Sequence, residues 1–540
     1  MMCQVLAYLQ DFFNRRKAGG PHEQLRLMVT GGAGCGKTFV LKVVREFLEQ
    51  QYEEPGWPGS RVAVMTPTGI AASLIPDAAT YFMALGLIPA GPGRPFQYLK
   101  GEVQEPLTRF YKQRCRAVIF DEISMIGVAA MGQIDERLRR LRTAHEFDWG
   151  GQEIFGGLDT VMFGDFYQVW AWVCGFVLVF SSRPHHPYVP PKLPPVGDTV
   201  LALEAQLREC TAYIELKQNH RQEQENVFVT LLNQFRTGTF TPEQINRYFM
   251  PLKVSEPACA VPDDWIGLAG LKERVDQFNE STLQVLAAKG NDESWSEMRL
   301  SCSSPVNDRT LDSCLKSLRK ESRIPLLLHL VTGMKVMLQV NLSVSEGLVN
   351  GAIGILWGWA VNPPEATASS ATTVNIGGPY PVTTIDKTLR PPGVAISQAW
   401  VEFREGVGGS WRVPPPPEIA VRPGCPPQLV LIEEFTAPVQ RGGSMAHIFF
   451  TQLPLRPAYA VTVHKVQGQS FSRVLMDLSR SQLFGGHAQI YVALSRLRSM
   501  APDCLSFAAL DGDALTTRKP SRLLREILAS WAQQGQAQTK

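Results

Sequence analysis

An α/β fold with parallel sheets and a small β-rich insertion is what the order of elements in this chain predicts. Three observations carry that expectation. Between residues 25 and 168, apolar strand-like runs alternate with stretches of helical spacing, the pattern of a sheet crossed over by helices. A second α/β pattern occupies about 211–320 and resumes near 450. Between its parts, 325–445 holds strand-like runs such as KVMLQV (335–340) and AIGILWGWAV (352–361), among proline- and glycine-rich loops that include PPPP at 414–417.

The elements follow in order. Strands are expected at 25–30, 61–66, 116–120 and 159–164, each ending at a polar or glycine-containing loop, where ligands of parallel sheets bind. RVLMDL (473–478) is a late strand and SRLLREILASWAQ (521–533) a late helix; the proline-rich 184–198 is a loop and the polar tail is disordered. The expected domains are 1–210, 211–324, 325–445 (β-rich, barrel-like) and 446–540, the last completing the second α/β domain.

Composition narrows the class. At 540 residues the chain exceeds one ordinary domain. A hydrophobic fraction of 44% supports real cores, and a net charge of +3 neither demands nor excludes nucleic acid. The ten cysteines form no CxxC pair, which points to reduced thiols in an intracellular protein without structural zinc. The N-terminus reads as an amphipathic helix and not a signal peptide. The longest apolar run, WAWVCGFVLVF (170–180), falls short of the about 20 residues that span a bilayer, so a soluble protein with no membrane partner is expected.

Residues 31–38, GGAGCGKT, form a complete phosphate-binding loop. Gly31, Gly32, Gly34 and Gly36 let backbone N–H groups turn toward phosphate oxygens; Lys37 reaches the β- and γ-phosphates; the Thr38 hydroxyl suits Mg²⁺. A strand-like run precedes the loop and FVLKVVREFLEQ (39–50) follows it as a helix, whose N-terminus faces the anion. A chance glycine-rich turn would lack that setting. VIFDEIS (118–124) is a buried strand ending in two carboxylates. Asp121 suits Mg²⁺ and Glu122 suits polarising the attacking water. Without the loop such a pair is usually a solvated strand end. GDFYQ (164–168) offers Asp165 and Gln168 as sensors of the γ-phosphate or the metal. QNHRQ (218–222) offers Arg221, and YVALSRLRS (491–499) offers Arg496 and Arg498, as guanidinium groups for transition-state charge.

In this order the motifs resemble those of the Pif-type DNA helicases of superfamily 1B, relatives of RecD. TPTGIAA (66–72), DEISMI (121–126), GDFYQ, ELKQNHRQ (215–222), LLNQFRTG (231–238), GMKVMLQVNLSVSEGLVNGAIGIL (333–356), LPLRPAYAVTVHKVQGQSFSRVLMDL (453–478) and YVALSRLRS carry the match over most of the chain. The resemblance implies two RecA-like domains in tandem with ATP and Mg²⁺ in the cleft between them. Lys37, Thr38, Asp121, Glu122 and Gln168 would come from the first, and Arg221, Gly468 and Arg496 from the second. It implies 5′→3′ movement on single-stranded and forked DNA, in repair, recombination and telomere or genome maintenance, by an enzyme working as a monomer. The implied compartment is the nucleus, with the mitochondrion as alternative. Thr66, Pro67, Thr68, Gly69, Thr462, His464, Gln467 and Ser470 would contact the DNA backbone or couple it to ATP. Gln4 would stand for the family's adenine-contacting glutamine. The alternatives are a degenerate homologue that binds ATP or DNA without unwinding, and the helicase portion of a rolling-circle transposase. The latter needs a His-hydrophobic-His nuclease site, which the adjacent His185 and His186 do not form.

The chain departs from the family in four places. Cys35 replaces a usual threonine or serine and, at a helix N-terminus, is expected to be thiol-sensitive. Phe82 stands where a histidine is usual, and Gly270-Leu271 where a polar pair is usual. Between GDFYQ and LPPVGD the chain carries 24 extra residues, 169–192. Either the segment is a genuine insertion packed against the second domain, or it is an unspliced intron. Every valine codon begins GT and one lysine codon ends AG, so Val169 and Lys192 permit the borders, and the frame is kept. We favour the intron: sequenced mature transcript should lack these codons, and their presence there would refute it.

Overall fold

The computed structural model describes residues 2–19, 23–54, 59–87, 103–142, 153–168, 212–222, 225–254, 260–302, 324–361, 396–439, 448–483 and 486–517, with Leu99, Cys314 and Leu318. The segment 169–192, the loop 184–198 and the helix expected at 521–533 lie outside the described residues. The chain forms two compact units. One comprises Met1–Pro257, Leu268–Leu271 and Thr462–Lys540; the other comprises Ala258–Gly267 and Lys272–Val461.

The first unit is built on a six-stranded sheet. Its strands are β1 (Arg26–Gly31), β2 (Val62–Thr66), β3 (Ala79–Thr80), β4 (Ala117–Phe120), β5 (Asp159–Gly164) and β6 (Ala212–Leu216), in the order β3-β2-β4-β5-β1-β6. Every pairing in it is parallel. Runs such as AVIF in β4 are buried throughout, as a sheet covered on both faces requires. Between β1 and β2, helix α2 (Lys37–Gln51) buries Val40, Leu41, Val44 and Leu48, the apolar stripe of a helix packed on a sheet. Helix α1 (Met2–Lys17) buries Val5, Leu9, Phe12 and Phe13. Its Arg16 pairs with Asp159 through both terminal guanidinium nitrogens, at 2.7 and 3.0 Å, while the Leu25 N–H donates to the same carboxylate at 2.7 Å. A bidentate pair of this kind fixes orientation as well as distance.

The order β4-β5-β1 is what builds a site. Three neighbouring strands end at Phe120, Gly164 and Gly31, so Asp121-Glu122, Asp165–Gln168 and the phosphate loop emerge side by side. On the far side of β1, β6 delivers residues 217–222 to the same edge. The sequence expectation assigned β6 to the second α/β pattern, beginning at 211. Instead Leu27 to Gly31 pair in register with Ala212 to Leu216, which extends the first sheet past the expected boundary at 210.

Later in this unit, Val474–Leu478 and Leu505–Leu510 pair in parallel, with the helix Gly486–Leu494 between them. This matches the strand expected at 473–478. Gly270 belongs here and has no room for a side chain. A Cβ on it would lie 1.8 Å from the Gln482 carbonyl oxygen and 2.3 Å from Gln489 Nε2. The Leu271 N–H donates to Gln482 Oε1 at 2.9 Å, and the fully buried Gln489 donates to the Gln482 carbonyl at 2.9 Å. At Gly270-Leu271 the backbone thus closes onto two glutamines.

The second unit is rich in antiparallel strands. Leu455–Pro457, Lys335–Leu338, Ile353–Val361, Ile396–Phe403, Leu429–Glu433 and Arg412–Val413 form a six-stranded sheet in that order. Arg299–Cys302, Ile448–Gln452 and Phe435–Pro438 form a three-stranded one. The helix Lys272–Ala287 accompanies them.

Substituting Gly270→Ala should destabilise the protein by about 2–3 kcal/mol, because the contacting atom is backbone and cannot turn away. Urea unfolding reads this as a lower midpoint at unchanged slope. An unchanged midpoint would show that the backbone yields freely.

Candidate functional site

The site residues named below all fall within the first unit. The phosphate loop turns on two glycines in the left-handed region, Gly34 at φ 81° and Gly36 at φ 77°, a conformation that costs other residues about 1 kcal/mol or more. Gly36 precedes α2, whose first turn therefore opens onto the loop. Lys37 folds back over it, donating from Nζ to the Gly31 and Gly32 carbonyls at 2.9 and 3.0 Å.

Residues after β6 clasp the loop from outside. The His220 N–H donates to the Gly34 carbonyl at 2.8 Å, and Asn219 Nδ2 to the Ala33 carbonyl at 3.0 Å. Asn219 Oδ1 accepts the N–H groups of Arg221 and Gln222 at 2.9 and 3.0 Å, which fixes the turn. The fit is close, since a Cβ at Gly34 would come within 2.7 Å of Arg221 Cβ. Arg221 is half-buried and donates to the Ser495 carbonyl at 2.6 Å. Burial lowers its pKa from the ordinary guanidinium value.

Asp121 is 4% exposed, and its carboxylate accepts the Glu122 N–H at 2.9 Å. Burial, reinforced by the Glu122 charge, pushes its pKa up to about 7. Glu122 itself is held at φ 48°, a left-handed conformation uncommon for a non-glycine residue. Gln467 joins this pair to the third motif, because its Nε2 donates to Glu122 Oε2 at 3.2 Å and to Gln168 Oε1 at 3.3 Å.

Arg496 is 2% exposed. Its guanidinium donates to the carbonyls of Val492 and Gln469 at 2.9 and 3.2 Å and to Ser495 Oγ at 2.7 Å. Burial and the neighbouring Arg221 lower its pKa to about 10, which leaves it charged at neutral pH. Arg498 is exposed.

The other expected residues fall as follows. Thr66 is buried, with its hydroxyl donating to the Thr68 carbonyl at 2.8 Å. Thr68 caps the short helix Gly69–Ser73 by accepting the Ala71 N–H at 3.2 Å, so both hydroxyls shape the TPTG turn. Pro67 and Thr462 are half-buried and Ser470 is exposed. His464 is half-buried, and burial lowers its pKa, which favours the neutral ring. Gly468 sits at φ 84° with open space where a Cβ would point. Gln4 is exposed on α1, and no hydrogen bond among the described residues ties it to the loop. Phe82 packs beside the core of the first sheet, its ring 4.1 Å from that of Tyr81, as a packing residue would.

Sequence reasoning missed Asn219, Arg236 and Tyr491. Arg236 donates from Nε to Asp165 Oδ1 at 3.3 Å and from Nη1 to Glu215 at 3.0 Å. Tyr491 accepts the Ala33 N–H at 2.8 Å. Each lies inside a quoted motif: Arg236 and Tyr491 stand in helices rich in apolar residues, and Asn219 in a polar turn beside Arg221, where nothing local marks its loop contact. Asp165 is fully buried and accepts hydrogen bonds from Arg236, Tyr491, Gln168 and the Tyr167 N–H, which makes it an internal anchor.

The PIF1-like helicase family model matches residues 20–186. The chain is 25% identical over 495 residues to ATP-dependent DNA helicase PIF7 of Trypanosoma brucei brucei, covering 88% of this chain and 43% of that protein. It is 26% identical over 482 residues to ATP-dependent DNA helicase PIF1 of Danio rerio, covering 87% of this chain and 57% of that protein. It therefore spans about half the length of the curated relatives it matches. Its fold is similar to that of a Pif1 helicase from Bacteroides in complex with ADP-AlF3 and ssDNA, with a TM-score of 0.59 at 22% identity over 97% of each chain. It is similar also to the Pif1 helicase from Candida albicans, with a TM-score of 0.57 at 21% identity over 96% of this chain and 98% of that one. These comparisons bear out the resemblance to Pif-type helicases of superfamily 1B and the fold class of two RecA-like domains with a β-rich region.

The structure also corrects the expectation for Cys35. Cys35 is 9% exposed, and burial pushes its thiol pKa up, against the opposing pull of Lys37 and Arg236. Reactivity follows the thiolate and access to it. In the native protein iodoacetamide should therefore alkylate Cys35 at least about tenfold more slowly than the exposed Cys3. Equal rates, read by mass spectrometry of the labelled peptides, would restore the thiol-sensitive loop.

Proposed function

We propose that this chain is an ATP-dependent DNA helicase of the Pif type, moving 5′→3′ on single-stranded DNA with ATP and Mg²⁺. The observation that carries this reading is Gln467, whose single amide donates to both Glu122 and Gln168. That amide belongs to the segment 462–470, which the resemblance assigns to DNA. One hydrogen-bonding group thus links the residue suited to polarising water, the residue suited to sensing the γ-phosphate, and the DNA-facing segment.

The remaining roles follow from chemistry. Lys37 exchanges two carbonyl acceptors for phosphate oxygens, a charge-assisted and stronger partner. The loop N–H groups and the α2 N-terminus hold the substrate phosphates. Glu122 orients water for in-line attack, and Arg221 and Arg496 neutralise charge developing on the transferred group. Thr38 and Asp121 suit Mg²⁺, which takes one or two protein oxygens and completes its shell with phosphates and water. The buried Asp121 beside a second carboxylate is a pair that a dication relieves. When bound, Mg²⁺ neutralises charge on the phosphoryl oxygens. We read Gln4 as the adenine contact and Gly468 as part of the nucleotide site.

Thr66, Pro67, Thr68, Gly69, Thr462, His464, Gln467 and Ser470 serve the DNA backbone, on single-stranded and forked DNA. Small hydroxyl, amide and imidazole groups contact phosphates without reading sequence. We assign four domains, expected at 1–210, 211–324, 325–445 and 446–540, with the first boundary moved beyond β6. The enzyme works as a monomer in genome maintenance, including repair, recombination and telomere upkeep, in the nucleus or the mitochondrion. Among the described residues no helix is long and apolar enough to cross a membrane. A second reading is a degenerate homologue that binds ATP or DNA without unwinding. The 24 residues directly after Gln168 motivate it, should the mature transcript retain them.

Strand displacement on duplexes with a 5′ or a 3′ tail tests the proposal. Unwinding should need the 5′ tail; unwinding from the 3′ tail alone would overturn the direction, and none with either would favour the degenerate reading. Lys37→Ala should lower DNA-stimulated ATP hydrolysis by roughly a hundredfold or more while sparing the fold. Retained turnover would sink the site assignment.

A further inference from the structure

We propose that Tyr491 is a positioning residue that holds the phosphate loop and Gln168 on one shared anchor, the Asp165 carboxylate. The inference rests on the nucleotide site described above and goes beyond it. Ala33 is the second of the four spacer residues in the loop. Its N–H donates to Tyr491 Oη at 2.8 Å, and its carbonyl accepts Asn219 Nδ2 at 3.0 Å. The two peptide groups on either side of the Ala33 Cα are therefore both held, which fixes the course of the loop just before Gly34 and Gly36.

The proton order follows from the partners. The Ala33 N–H is a donor only, so the tyrosine oxygen accepts from it. The phenol hydrogen is then free to donate to Asp165 Oδ2, 3.1 Å away. Burial, with the adjacent Asp165 charge, raises the Tyr491 pKa, so the hydroxyl keeps that hydrogen. Asp165 Oδ2 also faces Gln168 Nε2 at 3.4 Å, while Oδ1 accepts the Tyr167 N–H at 3.2 Å and Arg236 Nε at 3.3 Å. Arg236 continues to Glu215 on β6 and lies 4.7 Å from the Tyr167 ring centre. Tyr491 is 2% and Asp165 0% exposed, so water does not replace a lost partner cheaply.

The chain of contacts has a functional consequence. The loop that holds phosphates and the glutamine placed at the γ-phosphate are positioned by the same buried carboxylate. Tyr491 belongs to the helix that leads into Ser495 and Arg496, so the last motif sets the loop as well as supplying an arginine. Tyr491 need not touch substrate for this.

Tyr491→Phe removes one oxygen and keeps the ring. The experiment titrates wild type, Tyr491→Phe, Asp165→Asn and the double variant with a fluorescent ADP analogue. It also measures ATP KM and kcat with single-stranded DNA, and thermal unfolding. Tyr491→Phe should weaken ADP binding about five- to tenfold and raise KM by a similar factor, with a smaller fall in kcat. Asp165→Asn should do the same, and the double variant should be little worse than either single, since both cut one chain. A Tyr491→Phe protein that only melts earlier, with ADP affinity within twofold of wild type, overturns the proposal. Additive losses in the double variant overturn it too. Should Tyr491→Phe not fold, Asp165→Asn carries the test, and unchanged ADP affinity there is refutation. A wild type that binds no ADP would instead refute the nucleotide site itself.

Discussion

Burying a carboxylate away from water costs several kcal/mol unless charge and hydrogen bonds replace its hydration. Asp165 is fully buried, and its two oxygens receive Arg236, Tyr491, Gln168 and the Tyr167 N–H. That requirement orders the site. Arg236 and the Tyr167 N–H share one oxygen, and Tyr491 and Gln168 the other, so the four donors are positioned by one carboxylate. The third motif, the helix Asn226–Thr237 and the helix Gly486–Leu494 are thereby drawn to a single point beside the phosphate loop.

The sheet supplies the rest. Parallel strands that end on one edge deliver their following loops to one place, and the order β4-β5-β1-β6 makes neighbours of four motifs far apart in sequence. Between the strands the loops need unusual backbone. Gly34 and Gly36 take left-handed conformations, and Glu122 does so without being glycine. Strain of this sort persists where surrounding contacts over-determine it, and the Gln467 bond to the Glu122 carboxylate is such a contact.

The legible part of this protein was local chemistry. GGAGCGKT and the DE pair demand certain residue types at adjacent positions, and strands 25–30, 61–66, 116–120 and 159–164 fell within a residue or so of those observed. What sequence hid was long-range pairing and the balance of opposing effects. Nothing within Ala212–Leu216 says that its partner is β1, so it read as the start of another domain. Tyr491, in an apolar helix, gives no sign of its role in sequence because its hydroxyl partner lies at Ala33. For Cys35 two rules conflict: a helix N-terminus favours thiolate and burial opposes it, and here burial wins. Gly270 read as a lost polar contact, whereas the Gln482 carbonyl occupies the space a side chain would need.

A structure of the protein with ADP–aluminium fluoride, Mg²⁺ and single-stranded DNA tests most directly that these motifs form one hydrolytic site. Lys37 Nζ should leave the Gly31 and Gly32 carbonyls for the phosphate mimic, Arg221 should leave the Ser495 carbonyl for it, and the Ala33–Tyr491–Asp165 bonds should persist. A nucleotide bound while Lys37 and Arg221 keep their present carbonyl partners would contradict the assignment.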